Sequence, residues 1–156
     1  MTEPSIEPGG PSPHQPTIVY LFVHVILSVR GREAMLTKPV RRVLLVHLQK
    51  ESGERGIKIV AAGGVEDHVH CLLQLMPAQN LVQVVKSIRT MSADWLNGNK
   101  LLASGFEWED GYAAYSVSPT GVQQVIDYIS KQEDIHRSRT LESELEIFNK
   151  FTGPQS

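Results

Sequence analysis

The sequence contains a single cysteine, Cys71, so no disulfide can form within the chain, and this scarcity suits a reducing compartment. It contains no run of about 18 consecutive apolar residues, which excludes a membrane-spanning helix. The first residues lack the basic start and apolar centre of a signal peptide, and place Glu3 and Glu7 among prolines instead. No internal repeat is visible, which excludes solenoids and propellers. A surplus of positive charge is also missing: 15 Lys and Arg against 17 Asp and Glu give a net charge of −2. Total charge therefore gives no sign of nucleic-acid binding. Its distribution is less neutral, because all basic residues except Lys150 lie within 17–139, whereas Glu3, Glu7, Glu142, Glu144 and Glu146 lie outside. That leaves room for a local basic groove. These features together predict a soluble, cytoplasmic protein with no membrane partner.

What is present points to one globular domain. The 156 residues are 41% apolar and 21% charged, enough for one sizeable core without disulfides or a structural metal. Residues 1–16 carry Pro4, Pro8, Pro11, Pro13 and Pro16 with Gly9 and Gly10, and have little apolar surface to bury. They read as a disordered tail, leaving 17–150 as a single domain.

The apolar, β-branched run from Thr17 to Val29 predicts a strand. Thr37 caps a helix to about Ser52, and Ile57 to Ala62 and Asp67 to Leu75 form a hairpin around a turn at Gly63-Gly64. Asn80 caps a helix to about Leu96. Trp108 to Val117 is extended and interrupted by Gly111, and Ser118-Pro119 starts a helix that runs to about Asp134. A short helix over Thr140 to Phe148 follows. This order predicts an α+β fold of the ferredoxin-like, split βαβ kind. An antiparallel sheet carries helices on one face, with a C-terminal tyrosine-bearing helix added.

Two places carry possible chemistry. In His68-Val69-His70 the histidines alternate with Val69 and point to one face of a strand, within reach of one small cation. Taken alone, two strand histidines bonded to their neighbours is the plainer reading. The second place is Tyr128 with Gln132, one helical turn apart beside the apolar stripe of Val125, Ile126 and Ile129. A boundary tyrosine usually packs and finds a partner for its hydroxyl. A phenol can also act as a covalent nucleophile, and Gln132 offers a neutral oxygen to complete a two-histidine site.

Read together, Asp67-His68-Val69-His70 followed by Tyr128-x-x-x-Gln132 resembles the single-tyrosine HUH transposases, the insertion sequence 200-like family. HUH denotes His, hydrophobic residue, His. The likeness extends through HVILSVRGREAML (24–36), GGVEDHVHCLLQL (63–75), KSIRTMSADWLN (86–97), FEWEDGYAAYSVSP (106–119) and YISKQEDIHRSR (128–139). The resemblance implies a homodimeric enzyme that cleaves and rejoins single-stranded DNA and recognises hairpins at the ends of an element. By position it implies Tyr128 as nucleophile through a 5′-phosphotyrosine. It implies His68, His70 and Gln132 as ligands of Mg²⁺ or Mn²⁺, with active sites commonly shared between subunits. Asp67 is expected to orient a histidine from outside the ligand set.

Two departures accompany the likeness. Ile135-His136 stands where many relatives have paired histidines, and Trp108-Glu109 where Trp-Gln is usual. Tyr112 and Tyr115 are rival nucleophiles without a glutamine one turn away, and read as packing or DNA-stacking residues. Arg30, Arg32, Lys38, Arg41, Arg42, Lys86, Arg89, Lys131, Arg137 and Arg139 are, as a group, the expected phosphate contacts. The main alternative is a domesticated or inactive hairpin-binding protein of the same fold. Two further alternatives are an enzyme acting on chromosomal palindromes and a ferredoxin-like module that binds a metal or metabolite.

Overall fold

A computed structural model describes residues 15–137 and 140–152. The expected disordered tail therefore lies outside the described residues, apart from Gln15 and Pro16, which have no regular secondary structure. The chain runs through β1 (Leu21–Ser28), α1 (Lys38–Glu54), β2 (Lys58–Gly64), β3 (His68–Leu75), α2 (Leu81–Gly98) and β4 (Ala113–Val117). The helices α3 (Val122–Ser130), α4 (Gln132–Ile135) and α5 (Leu141–Thr152) complete it. The strands form one antiparallel sheet in the order β2-β3-β1-β4. Each of α1 and α2 carries the chain past one intervening strand, as the split βαβ pattern predicts.

Strand alternation separates two faces. Val25, Leu27, Val69, Cys71 and Leu73 pack against Leu44 and Leu48 of α1 and Val84, Val85, Ile88, Met91 and Leu96 of α2. Each side chain of this kind, fully buried, contributes roughly 1.5–3 kcal/mol, so this face holds the main core. In the β1–β3 register Ile26 faces His70, His24 faces Leu72 and Ser28 faces His68, which puts these residues together on the other face. There α3 packs over β2 and β3 and brings Ile129 onto Gly63. Asn80 caps α2 by accepting from the Gln83 N–H at 3.2 Å. No helix among the described residues is long and apolar enough to cross a membrane.

Three local expectations change. Gly63 and Gly64 belong to β2, and the turn is Val65–Asp67, closed by the Val65 N–H donating to the His68 carbonyl at 3.0 Å. These glycines serve close approach. A Cβ on Gly63 would lie 2.6 Å from the Ile129 carbonyl oxygen, and one on Gly64 would collide with the His68 carbonyl. Between Trp108 and Tyr112 the chain forms no strand. It is tied to the end of β1 by a single bridge, Val29 to Trp108, flanked by Glu109 N–H to the Ser28 carbonyl at 2.8 Å. The helix expected to run from Pro119 to Asp134 breaks at Lys131, whose φ of −104° and ψ of 16° leave the helical region. Tyr128 and Gln132 consequently sit on two short helices rather than one turn apart on a single one.

The contact at Gly63 yields a direct test. Gly63→Ala is expected to destabilise the fold by about 1–3 kcal/mol, because the added methyl pushes α3 off the sheet. Urea denaturation followed by circular dichroism measures this, and an unchanged midpoint would contradict the close approach.

Candidate active site

The alternation of β3 brings His68 and His70 side by side under α4 and α5, both with 0% exposure. Each is held through Nδ1. His68 Nδ1 donates to the Asp67 carboxylate at 2.7 Å, which leaves its Nε2 as the lone-pair nitrogen. His70 Nδ1 lies 2.7 Å from Nε2 of His24 on β1. The Nε2 atoms of His68 and His70 and Oε1 of Gln132 are buried without a hydrogen-bond partner among the described residues. Such orphans cost about 1–3 kcal/mol each when nothing meets them.

Two residues from the C-terminal segment enter the same space. Glu144 of α5 is 1% exposed, with Oε1 at 3.3 Å from His70 Nε2 and 3.5 Å from His68 Nε2. These are ion-pair distances that fall short of hydrogen-bond geometry. His136 Nε2 is 3.0 Å from the same oxygen, and Gln132 Nε2 donates to Glu144 Oε2 at 3.1 Å. One ligand atom from each of His68, His70, His136 and Glu144 falls within 4.8 Å of the others. Burial alone would raise the Glu144 carboxyl, yet hydrogen bonding and charge from His68 and His70, when their Nε2 atoms carry protons in place of a cation, hold it down to about 2. Burial pushes His24 down to about 3 and lowers His70 as well, with the neighbouring imidazoles adding to it.

Tyr128 borders this cluster. Its ring stands edge-on to His70 at 5.8 Å between centroids, to His24 at 6.1 Å and to Phe148 of α5 at 5.7 Å. Phe148 also stacks on Tyr115 at 4.9 Å, and the Tyr115 hydroxyl donates to Asn149 Oδ1 at 3.1 Å. Tyr115 thus packs under α5, while Tyr112 lies beneath the Arg89 guanidinium at 5.4 Å. Within the single chain described, Tyr128, Gln132, His68 and His70 lie on the same face of the sheet.

The expected phosphate contacts divide by what holds them. Arg41 is buried, donating to the Leu36 carbonyl at 2.7 Å and to Glu133 at 2.6 Å, so its charge ties α1 to α4. Arg89 donates to the backbone carbonyls of Glu109 and Asp110. Arg30 pairs with Glu107 and Asp110, Arg32 with Glu142, Lys38 with Glu133 and Arg137 with Asp134. Arg42, Lys86 and Lys131 are exposed, and Arg139 lies outside the described residues.

Sequence reasoning missed His24, His136 and Glu144 as members of the site. His24 was within reach of the alternation in β1, which sets it with Ile26 against Val25 and Leu27. His136 follows Gln132 at helical spacing. Glu144 left no signal, because only the return of α5 across the sheet brings it inward.

Comparison with known proteins gives the family and the fold. The sequence pattern of the family described as "Transposase IS200 like" matches residues 17–132. The chain belongs to the IS200-like transposase family. It is 27% identical over 122 residues to the ISDra2 transposase TnpA of Deinococcus radiodurans, covering 75% of this chain and 87% of that one. Its fold matches the crystal structure of a candidate transposase from the same organism, with a TM-score of 0.61 and 25% identity over 78% of this chain and 97% of that one. It also matches a REP-associated tyrosine transposase bound to a REP hairpin, at a TM-score of 0.57 and 15% identity over 81% of this chain and 74% of that one. At that identity the likeness speaks for the fold. A divalent metal, which this family implies, suits the donors present: the buried Nε2 atoms of His68 and His70, without a hydrogen-bond partner among the described residues, lie with His136 beside the carboxylate of Glu144, to which Gln132 is also hydrogen-bonded.

The buried ionisable groups make the metal-free fold sensitive to acid. His24 is lowered from 6.5 to about 3 and Glu144 from 4.5 to about 2, so in both intervals the unfolded chain binds more protons than the folded one. Stability is full above pH 6.5 and falls as the pH drops, by up to about 1.4 kcal/mol per unit for each such group. Thermal melts of the metal-free protein are expected to shift down between pH 7 and pH 5. Equal melting temperatures at the two values would contradict the burial of neutral His24.

Proposed function

We propose that the chain cleaves and rejoins single-stranded DNA beside hairpins, with Tyr128 as the nucleophile. The observation that carries this reading is the buried cluster of His68, His70, His136 and Glu144, with Gln132 hydrogen-bonded to Glu144 and the Tyr128 ring edge-on to His70. His68, His70 and Gln132 would hold Mg²⁺ or Mn²⁺, and His136 and Glu144 are further donors in the same space. Such an ion, when bound, draws charge from a non-bridging phosphoryl oxygen. The Tyr128 hydroxyl gives up its proton and its oxygen bonds to phosphorus. The bond from phosphorus to the 3′ oxygen breaks, leaving a 5′-phosphotyrosine and a free 3′-OH. A second 3′-OH attacking the same phosphorus frees the tyrosine and joins the strands, so no external energy source is needed. Asp67 fixes the tautomer of His68, and the rings of buried His24 and half-buried Phe148 flank the tyrosine ring.

The exposed Arg42, Lys86 and Lys131, with Arg30, Lys38 and Arg137 on their surface pairs, are the side chains we assign to DNA phosphates. A hairpin as the ligand is supported by the family and by the REP hairpin held by the structurally similar REP-associated transposase. The proposal includes a homodimer with active sites shared between its subunits. One observation favours the second reading, a hairpin-binding protein that does not cleave. Glu144 and Phe148 place α5 across the donor cluster and the tyrosine.

The two readings separate on a denaturing gel. The protein is mixed with Mn²⁺ and labelled single-stranded DNA spanning the hairpins that flank its own gene. A covalent adduct is expected with wild type, and none with Tyr128→Phe, with His70→Ala or in EDTA. Binding without adduct or cleavage would favour the hairpin-binding protein. An adduct that survives Tyr128→Phe would overturn Tyr128 as nucleophile.

A further inference from the structure

His24 is a buried, titratable side chain in the middle of an inner strand, and beyond flanking the Tyr128 ring it has no part in the strand-transfer chemistry above. It lies on the polar face of the sheet, diagonal to His70 across the β1–β3 ladder, since His70 pairs with Ile26 and His24 is two residues along. Its ring touches those of His70, Tyr115, Tyr128 and Phe148. Its one polar contact with the cluster is Nε2 to His70 Nδ1 at 2.7 Å.

The arrangement repeats the one at the neighbouring histidine. His68 has a hydrogen-bond acceptor on Nδ1, the Asp67 carboxylate, and its Nε2 faces the cluster. His70 has His24 on Nδ1 and its Nε2 faces the same cluster. A neutral imidazole carries one N–H, so the partner at one nitrogen decides whether the other offers a lone pair. A neutral His24 that accepts at Nε2 leaves the proton of His70 on Nδ1 and frees Nε2 for an ion. From this parallel, and resting on the reading of the cluster as a divalent-metal site, we propose that His24 is the positioning residue of His70, the counterpart of Asp67 at His68. A second imidazole at this place orients His70 without adding a negative charge, in a pocket where Glu144 already supplies one.

The test compares wild type with His24→Gln, whose amide oxygen can accept in place of Nε2, and His24→Phe, which keeps the ring volume and loses the acceptor. Free Mn²⁺ is followed by its solution electron paramagnetic resonance signal during titration, with thermal melts as the check on folding. The expected result is Mn²⁺ affinity weakened about tenfold or more in His24→Phe, the effect typical of removing a ligand's outer partner, and close to wild type in His24→Gln. A folded His24→Phe that binds Mn²⁺ as wild type does would overturn the proposal, as would a His24→Gln as weak as His24→Phe. Should His24→Phe fail to fold, nitrogen-15 spectra of the Mg²⁺-loaded wild type decide. The proton of His70 is expected on Nδ1, coupled across the hydrogen bond to His24 Nε2, and a proton on Nε2 would overturn the assignment. Wild type that binds neither ion would instead refute the metal site itself, and with it any role for His24 in orienting a ligand.

Discussion

Three polar atoms, the Nε2 atoms of His68 and His70 and Oε1 of Gln132, are buried without a hydrogen-bond partner among the described residues, and much of the structure is arranged around them. Folding takes them out of water, which is unfavourable unless something replaces the solvent. The groups behind them are fully engaged instead: Asp67 on His68, His24 on His70, and Glu144 on the amide nitrogen of Gln132. The outer nitrogens of the two histidines are tied so that their Nε2 atoms both face Glu144. That is the arrangement a cation stabilises, and an apolar pocket would have no use for it.

The fold tolerates this polar centre because the sheet has two different faces. Val25, Leu27, Val69, Cys71 and Leu73 fill the main core against α1 and α2, so most of the apolar burial lies away from the opposite face. On that face the bare backbone at Gly63 lets α3 lie close to the sheet, which carries Tyr128 toward His70. The non-helical Lys131 then turns the chain so that Gln132 is buried, and α5 returns to bring Glu144 and Phe148 over the site. Backbone geometry at two positions thus sets which side chains can meet.

The sheet order and the placement of α1 and α2 were legible because their apolar periodicities are unmixed. The β1 run, the stripe of Val84, Val85, Ile88 and Met91, and the Asn80 cap each favour one element type. Gly63-Gly64 misled because paired glycines usually mark turns, and their requirement here is steric, set by a helix far along the chain. The helix break at Lys131 has no local signal, since neither glycine nor proline is involved. Three of the five donors, His68, His70 and Gln132, could be read through the family likeness. Glu144 and His136 could not, because their proximity is created by tertiary packing. Charge was the least legible feature. Arg41 reads as a surface cation in the sequence, yet it is buried and joins α1 to Glu133.

The central claim is that one divalent ion sits where these donors converge. The most direct measurement is anomalous X-ray diffraction from crystals of the full chain grown with Mn²⁺. The account predicts a strong anomalous peak within bonding distance of His68 Nε2, His70 Nε2 and Gln132 Oε1. A peak elsewhere, or none at that position while Glu144 keeps its contacts with the two histidines, would contradict it.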